Sequence, residues 1–299
     1  MIVIADDITG AAEIAGIAHS LGQQVGLLCG CSVGSDRVAA YDTVVIATDT
    51  RSMTETEAAK ETLRVAAHPS PLTSQLFKKT DSALRGHVVA ELKALMQATG
   101  YRRAVYLPAN PSKGRIIREG IYYINEQPID ETAFSYDPEF PATTSSMAER
   151  FPEAAAHHIL MPDAVSDDDI AQVVAQYDDG RTLFAGAADL FSALLASRCP
   201  QHSTLCSQDH RASGLSALNI GQSTLFLCGS TQSIPPQMGL PVVPMPLTVY
   251  EGDEGPDCWL QQAKEPYTLS HGAVLTVPHR HLTGRTVAVR TREAMAFVA

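Results

Sequence analysis

One rhythm constrains this chain more than any other feature. Through its first two hundred residues a short apolar run, a polar cluster and an apolar pattern at helical spacing follow one another repeatedly. Residues 1–5 are apolar and end on Asp6, Asp7 and Thr9; Ile14, Ile17, Ala18 and Leu21 then make one helical stripe. Further strands are predicted at 25–28, 43–47, 74–78, 103–107, 158–161 and 182–185. Thr54-Glu-Thr-Glu57 reads as a capping box, and Val88, Leu92, Leu95 and Met96 share one helix face. Helices are also expected over 142–152, 167–177 and 187–198, with 114–141 irregular. Strands alternating with helices form βαβ crossovers. The pattern therefore predicts an α/β fold, a mainly parallel sheet with helices on both faces.

The rhythm fails at 199–222, a stretch rich in Ser, Gln and His that reads as a linker. It resumes from 223 with strands expected at 223–228, 241–245, 272–277 and 285–290, and an apolar helix start at 294–299. Seventy-seven residues are marginal for an independent core, so a smaller, incomplete second α/β domain is expected. The predicted organisation is 1–198, linker 199–222 and 223–299. Apolar surface left by an incomplete domain would favour a homo-oligomer.

Composition narrows the function classes. No run approaches the ~18 apolar residues of a membrane span, and residues 1–7 lack the basic segment of a signal peptide. The net charge of −11 argues against nucleic acid and anionic membranes as partners. The six cysteines lack C-x-x-C spacing, which suits reduced thiols and no zinc site. These features point to a cytoplasmic globular protein.

In open α/β sheets ligands bind beyond the carboxyl ends of the strands. Four predicted ends carry polar clusters: Asp6-Asp7-Ile8-Thr9-Gly10, Thr48-Asp49-Thr50-Arg51, Lys78-Lys79-Thr80-Asp81-Ser82 with Arg85, and Asn110 with Lys113 and Arg115. On one sheet edge they would form a cleft with carboxylates for hydroxyl groups and cations for an anion. Arg85 and Arg115 could clamp a planar carboxylate, and an Asp could take a proton from an attacking hydroxyl or hold a metal. The plainer reading is helix capping, with Thr9 and Ser82 the best pure caps. Capping does not require Lys79, Arg85 and Arg115. A small anionic substrate fits such a cleft.

Other motifs carry less. Gly30-Cys-Ser-Val-Gly34 has nucleophile-elbow spacing but no helix directly behind it, and a glycine-rich turn explains it. The Asp6-Asp7 pair lacks the two-residue spacing of haloacid-dehalogenase-like phosphatases. His157 and His158, on adjacent strand positions, would face opposite sides. Asp167-Asp-Asp169 suits a helix start, and Cys29 with Cys31 suits buried or turn thiols. There is no P-loop and no dinucleotide fingerprint.

Taken together, Ile4-Ala-Asp-Asp-Ile-Thr-Gly-Ala11, Lys79-Thr-Asp-Ser-Ala-Leu-Arg-Gly86 and Pro108-Ala-Asn-Pro-Ser-Lys-Gly-Arg115 closely resemble three motifs of the four-carbon acid sugar kinase family. Gly120-Ile-Tyr-Tyr-Ile-Asn125 followed by Asp137-Pro138 is similar to that family's next block, and the likeness runs to about residue 198. The resemblance implies a transferase: ATP-dependent phosphorylation of a tetronate or oxo-tetronate, with the sugar acid bound by the N-terminal domain and the nucleotide, with Mg2+, by the C-terminal one. It assigns Asp6, Asp7, Lys79, Asp81, Arg85 and Arg115 to the substrate site, to which Asn110 of the third motif is added; if an acid takes the hydroxyl proton, we infer Asp7 ahead of Asp81 as the catalytic base. No protein-held metal is implied.

The C-terminal part departs from the family pattern. Gly229-Ser-Thr-Gln-Ser233 stands where relatives carry Gly-Ser-x-Ser, which leaves Ser230 as the nucleotide-binding candidate, and no Gly-Gly dipeptide is present for the later nucleotide motif. A non-catalytic sugar-acid-binding or regulatory module is therefore an alternative expectation, and a phosphatase or other hydrolase using Asp6 and Asp7 is a third.

Overall fold

The computed structural model describes residues 1–29, 41–67, 75–198, 224–228, 239–251, 253–270 and 272–277. The glycine-rich turn expected at 30–34, with Cys31, and likewise Cys199, Cys206, the linker, Ser230 and the predicted elements at 285–290 and 294–299, lie outside them. The chain divides into two compact units, Met1–Gln208 and Asp209–Ala299.

The first unit is built on a seven-stranded parallel sheet. Its strands are β1 (Ile2–Ala5), β2 (Val25–Cys29), β3 (Thr43–Ala47), β4 (Leu76–Lys79), β5 (Arg103–Leu107), β9 (Ile159–Leu160) and β10 (Thr182–Gly186), in the order β2-β3-β1-β4-β10-β5-β9. Between β5 and β9 a small antiparallel sheet holds β6 (Arg115–Arg118), β7 (Ile121–Ile124) and β8 (Gln127–Pro128). The helices are α1 (Ile8–Ser20), α2 (Glu55–Ala66), α3 (Val88–Thr99), the short α4 (Met147–Arg150), α5 (Asp167–Tyr177) and α6 (Ala188–Arg198). Helix α1 contacts α6, and α6 packs on α5; α2 packs on α3. Val3, Phe77, Val105 and Phe184 are fully buried in the core that joins strands to helices. The expected fold class is present, as is the smaller second sheet.

The central strands are buried along their whole length, which is why they read as continuous apolar runs. The capping box of α2 forms as expected: the Thr54 hydroxyl accepts from Glu57 N, and the Glu57 carboxylate accepts from Thr54 N at 3.0 Å. Helix α5 opens with a second box between Ser166 and Asp169.

Four local expectations are corrected. Residues 114–141 are not irregular but carry the β6–β8 sheet. Its turns, Glu119-Gly120 and Asn125-Glu126, have all four residues at positive φ, the geometry of two-residue hairpins, supplied with only one glycine. Helix 142–152 shrinks to α4, because Ser146 caps its start and Phe151, preceding Pro152, leaves helical geometry at φ −127 and ψ 63. His157 and His158 are not strand neighbours: His157 closes a 3-10 turn and His158 is left-handed at φ 56. The cap of α1 is Asp7, not Thr9.

The second unit contains three parallel strands, β11 (Thr224–Cys228), β12 (Val242–Pro244) and β13 (Gly272–Thr276), in the order β11-β13-β12. Helices α7 (Leu247–Glu251) and α8 (Asp257–Ser270) accompany them, and Trp259 is fully buried, its indole N–H donating to Val243 O at 3.2 Å. No helix among the described residues is long and apolar enough to cross a membrane.

Candidate functional site

The strand registers bring the polar clusters to one edge. Ala5 is level with Ala47 of β3 and Lys79 of β4, and Gly186 of β10 is level with Lys79 and with Leu107 of β5. The segments after β1, β3, β4 and β5 therefore leave the sheet together. From β1 the chain crosses to the edge strand β2, returns inward to β3, and then passes β1 to reach β4 on its other side. The clusters thus flank a topological switch point, where open α/β sheets bind ligands.

At the centre stands Arg51, presented by a 3-10 turn over Thr50–Ser52. Its Nε donates to Asp6 Oδ2 at 2.9 Å and its Nη1 to Asp7 Oδ2 at 3.0 Å, with Asp81 Oδ1 3.7 Å away. Arg51 belongs to the Thr48–Arg51 cluster but is not among the expected site residues; its position one turn past β3 is the available signal. Burial would lower its guanidinium, but Asp6, Asp81 and Asp7 together raise it.

Asp7 serves two structural partners at once. Its Oδ1 accepts from Gly10 N at 2.8 Å to cap α1, and its Oδ2 takes Arg51. Gly10 is required here, since a Cβ would lie 2.7 Å from Asp7 Oδ1 and 3.3 Å from Lys79 Nζ. Asp6 is buried, and its Oδ1 has no hydrogen-bond partner.

Asp81 and Arg85 form a bidentate pair, with Nε to Oδ2 and Nη2 to Oδ1 both at 2.9 Å. Asp81 Oδ2 also accepts from Ala83 N at 2.9 Å. Burial would raise this carboxyl, but Arg85, Arg51 and the Ala83 N–H outweigh it and hold it well below the usual range. The loop carries strain: Leu84, buried, sits at φ 62, and Gly86 at φ 94 lies where a Cβ would be 3.2 Å from Asp6 Oδ2.

Arg85 also reaches Asp137 Oδ2 at 3.5 Å. Phe134 carries both guanidiniums, Arg85 Cζ at 5.9 Å and Arg115 Cζ at 5.8 Å from its ring centre. Arg115 Nη1 donates to the Ser82 hydroxyl, so Ser82 is a loop partner rather than a cap. Tyr122, buried in β7, donates to Ser82 O and Pro108 O and ties the two loops together.

Lys79 and Lys113 share Glu13 of α1. Lys79 Nζ lies 3.3 Å from Glu13 Oε2 and donates to Thr80 O at 2.9 Å; Lys113 pairs with Glu13 Oε1. Burial would raise the Glu13 carboxyl, but the two lysines pull it down. Glu13 was not found from sequence, because a lone acid on an amphipathic helix has no distinguishing signal. Asn110 is buried and its Oδ1 accepts from Asp189 N at 2.9 Å, while Asp189 holds Ser112 through N and Oγ. All seven predicted substrate-site residues thus lie on segments leaving one sheet edge, together with Arg51, Glu13, Asp137 and Phe134. The arrangement holds five carboxylates, Asp6, Asp7, Glu13, Asp81 and Asp137, and several cations at the end of one sheet.

Residues 1–159 match the family model of the sugar-binding N-terminal domain. A D-threonate kinase from Salmonella typhimurium is 35% identical over 154 residues, which is 50% of this chain and 35% of the relative. A 3-oxo-tetronate kinase from Pectobacterium atrosepticum is 30% identical over 183 residues, 58% of this chain and 43% of the relative. The chain therefore spans less than half the length of these curated relatives. Two solved structures share the fold. A Bordetella bronchiseptica domain of unknown function, a domain-swapped dimer with bound citrate, has a TM-score of 0.56 at 22% identity and covers 99% of this chain and 79% of that one. A Haemophilus influenzae protein has a TM-score of 0.59 at 19% identity and covers 100% of this chain and 82% of that one. The matched residues contain the carboxylate and arginine cluster just described, and the chain belongs to the sugar-binding N-terminal domain family, whose relatives matched here are named as kinases of four-carbon sugar acids.

Proposed function

We propose that the first unit binds a four-carbon sugar acid and that the protein phosphorylates it at the expense of ATP. The observation that carries this reading is the bidentate Asp81–Arg85 pair beside Arg115, with both arginines on the Phe134 ring. Two nearby guanidiniums suit a planar carboxylate, and the neighbouring aspartates suit the hydroxyls of a short polyol chain. Asp6 Oδ1, buried and unpartnered, is an acceptor that a substrate hydroxyl would satisfy.

Nucleotide supplies the phosphoryl group. Asp7 is the better base: Asp81 is held too low by Arg85 and Arg51 to accept a proton readily. Proton capture by Asp7 requires Arg51 to give up one of its bonds to that carboxylate. Lys79 and Lys113 supply positive charge beside the reacting hydroxyl, and their shared Glu13 fixes their spacing. The nucleotide's assigned contact, Ser230, follows β11 and lies outside the described residues. Mg2+ is assigned to the nucleotide phosphates, where it would neutralise charge on the transferred group.

Calorimetric titration with a panel of tetronates tests binding, and coupled ADP release tests transfer. Binding with ADP release supports the full proposal. Binding of a tetronate without ADP release would leave only the binding module standing. Phosphate release from sugar phosphates without nucleotide would replace it with a hydrolase.

A further inference from the structure

Directly behind the site lies a buried polar cluster that the proposed chemistry does not use. Lys78, fully buried on β4, places Nζ 2.6 Å from Glu91 Oε2, and Glu91 of α3 is itself 1% exposed. The same oxygen accepts from the Thr50 hydroxyl at 2.9 Å and from the Thr62 hydroxyl of α2 at 3.1 Å. Thr50 Oγ1 lies 3.0 Å from Thr48 Oγ1, which donates to Ala5 O at 2.8 Å. One carboxylate oxygen thus joins a strand, a helix and the turn that carries Arg51.

Stability alone does not account for such a cluster, because a buried ion pair is often no better for folding than apolar side chains of the same volume. Geometry offers a reason. Asp49 is left-handed at φ 55, so the chain after β3 turns sharply away from its strand direction. The next residue, Thr50, is fixed on the interior side by Glu91. Arg51 follows at once, its N–H donating to Asp6 O at 3.2 Å and its side chain reaching three aspartates.

We propose that Glu91 and Thr50 are positioning residues of the sugar-acid site: Glu91, clamped by Lys78, holds the Thr50 hydroxyl and so aims Arg51 at Asp6, Asp7 and Asp81. For its consequence in binding, the inference rests on the sugar-acid reading; for its geometry it does not.

The test compares Thr50→Val with Thr62→Val. Both substitutions remove one hydroxyl from the same Glu91 oxygen, but only the first touches the Arg51 turn. The Arg51 Nε–H signal, held by Asp6, is followed by nitrogen–proton correlation NMR, and D-threonate affinity by calorimetry. Thr50→Val should move the Arg51 signal to the position of solvent-exposed arginines and weaken threonate binding about tenfold or more. Thr50→Ser and Thr62→Val should leave both near those of the unsubstituted protein. Equal effects of the two valine variants, or an unmoved Arg51 signal in Thr50→Val, would overturn the inference. If Thr50→Val does not fold, the unsubstituted protein decides. Its Thr50 hydroxyl proton should exchange slowly enough to be observed, and its absence would overturn the inference equally. An Arg51 signal that responds as expected in a protein that binds no tetronate supports the positioning role and sinks the sugar-acid reading instead.

Discussion

At the residue scale, the site sets Asp6, Asp7 and Asp81 against Arg51, and Asp81 against Arg85 as well. Asp81 shows the consequence for stability. Its carboxyl is held below its unfolded value of about 3.9. Its contribution is therefore complete above that value and is lost as pH falls through the lower folded value. Asp81→Asn should cost on the order of 3 kcal/mol at pH 7, and melting curves at falling pH should show the gap to the unsubstituted protein closing below about pH 4. From sequence alone, Arg85→Ala is expected to weaken ligand binding at unchanged stability. The bidentate pair alters that expectation: the substitution strands a buried carboxylate, so melting temperature should fall together with affinity. Gly10→Ala works differently. The added Cβ meets Asp7 Oδ1 at 2.7 Å, so tetronate affinity should drop more than stability, as calorimetry and thermal melting measured side by side would reveal.

At the element scale, the edge depends on how flush the strands lie. A Cβ on Gly186 would stand 2.0 Å from Leu107 O, a backbone atom that cannot swing aside. Gly186→Ala should therefore cost about 2–3 kcal/mol in chemical denaturation, the upper range for overpacking; a neutral result would mean that β10 and β5 can separate freely. The antiparallel β6–β8 sheet was not legible in the sequence. Its turns place Glu119, Asn125 and Glu126 in the left-handed region, where sequence patterns look first for glycine. Asp163 supports the first turn, accepting from Glu119 N at 2.8 Å and Gly120 N at 2.9 Å. That contact joins residues 43 and 44 positions apart, which no local pattern reveals. Asp163→Ala should loosen the hairpin, read as faster amide exchange at Glu119 and Gly120 with β1 and β4 unaffected.

At the scale of the whole molecule, fold, family and proposed chemistry agree. Self-association is the remaining prediction: apolar surface on a small second domain favours a homo-oligomer, and a monomer at all concentrations in light scattering would refute it. Much of the molecule could be read from residues in order. Apolar runs and helical stripes determined the strand and helix alternation, and short-range signals such as Thr54 with Glu57 determined helix starts, because propensity and capping act over a few residues. The motifs also named the substrate-site candidates. Only the tertiary structure decided that Arg51 joins Asp6, Asp7 and Asp81, that Glu13 bridges two lysines, and that Lys78 and Glu91 meet behind them. These contacts link residues from 13 to 100 positions apart through strand order and register, and neither quantity is written in any local stretch of the chain.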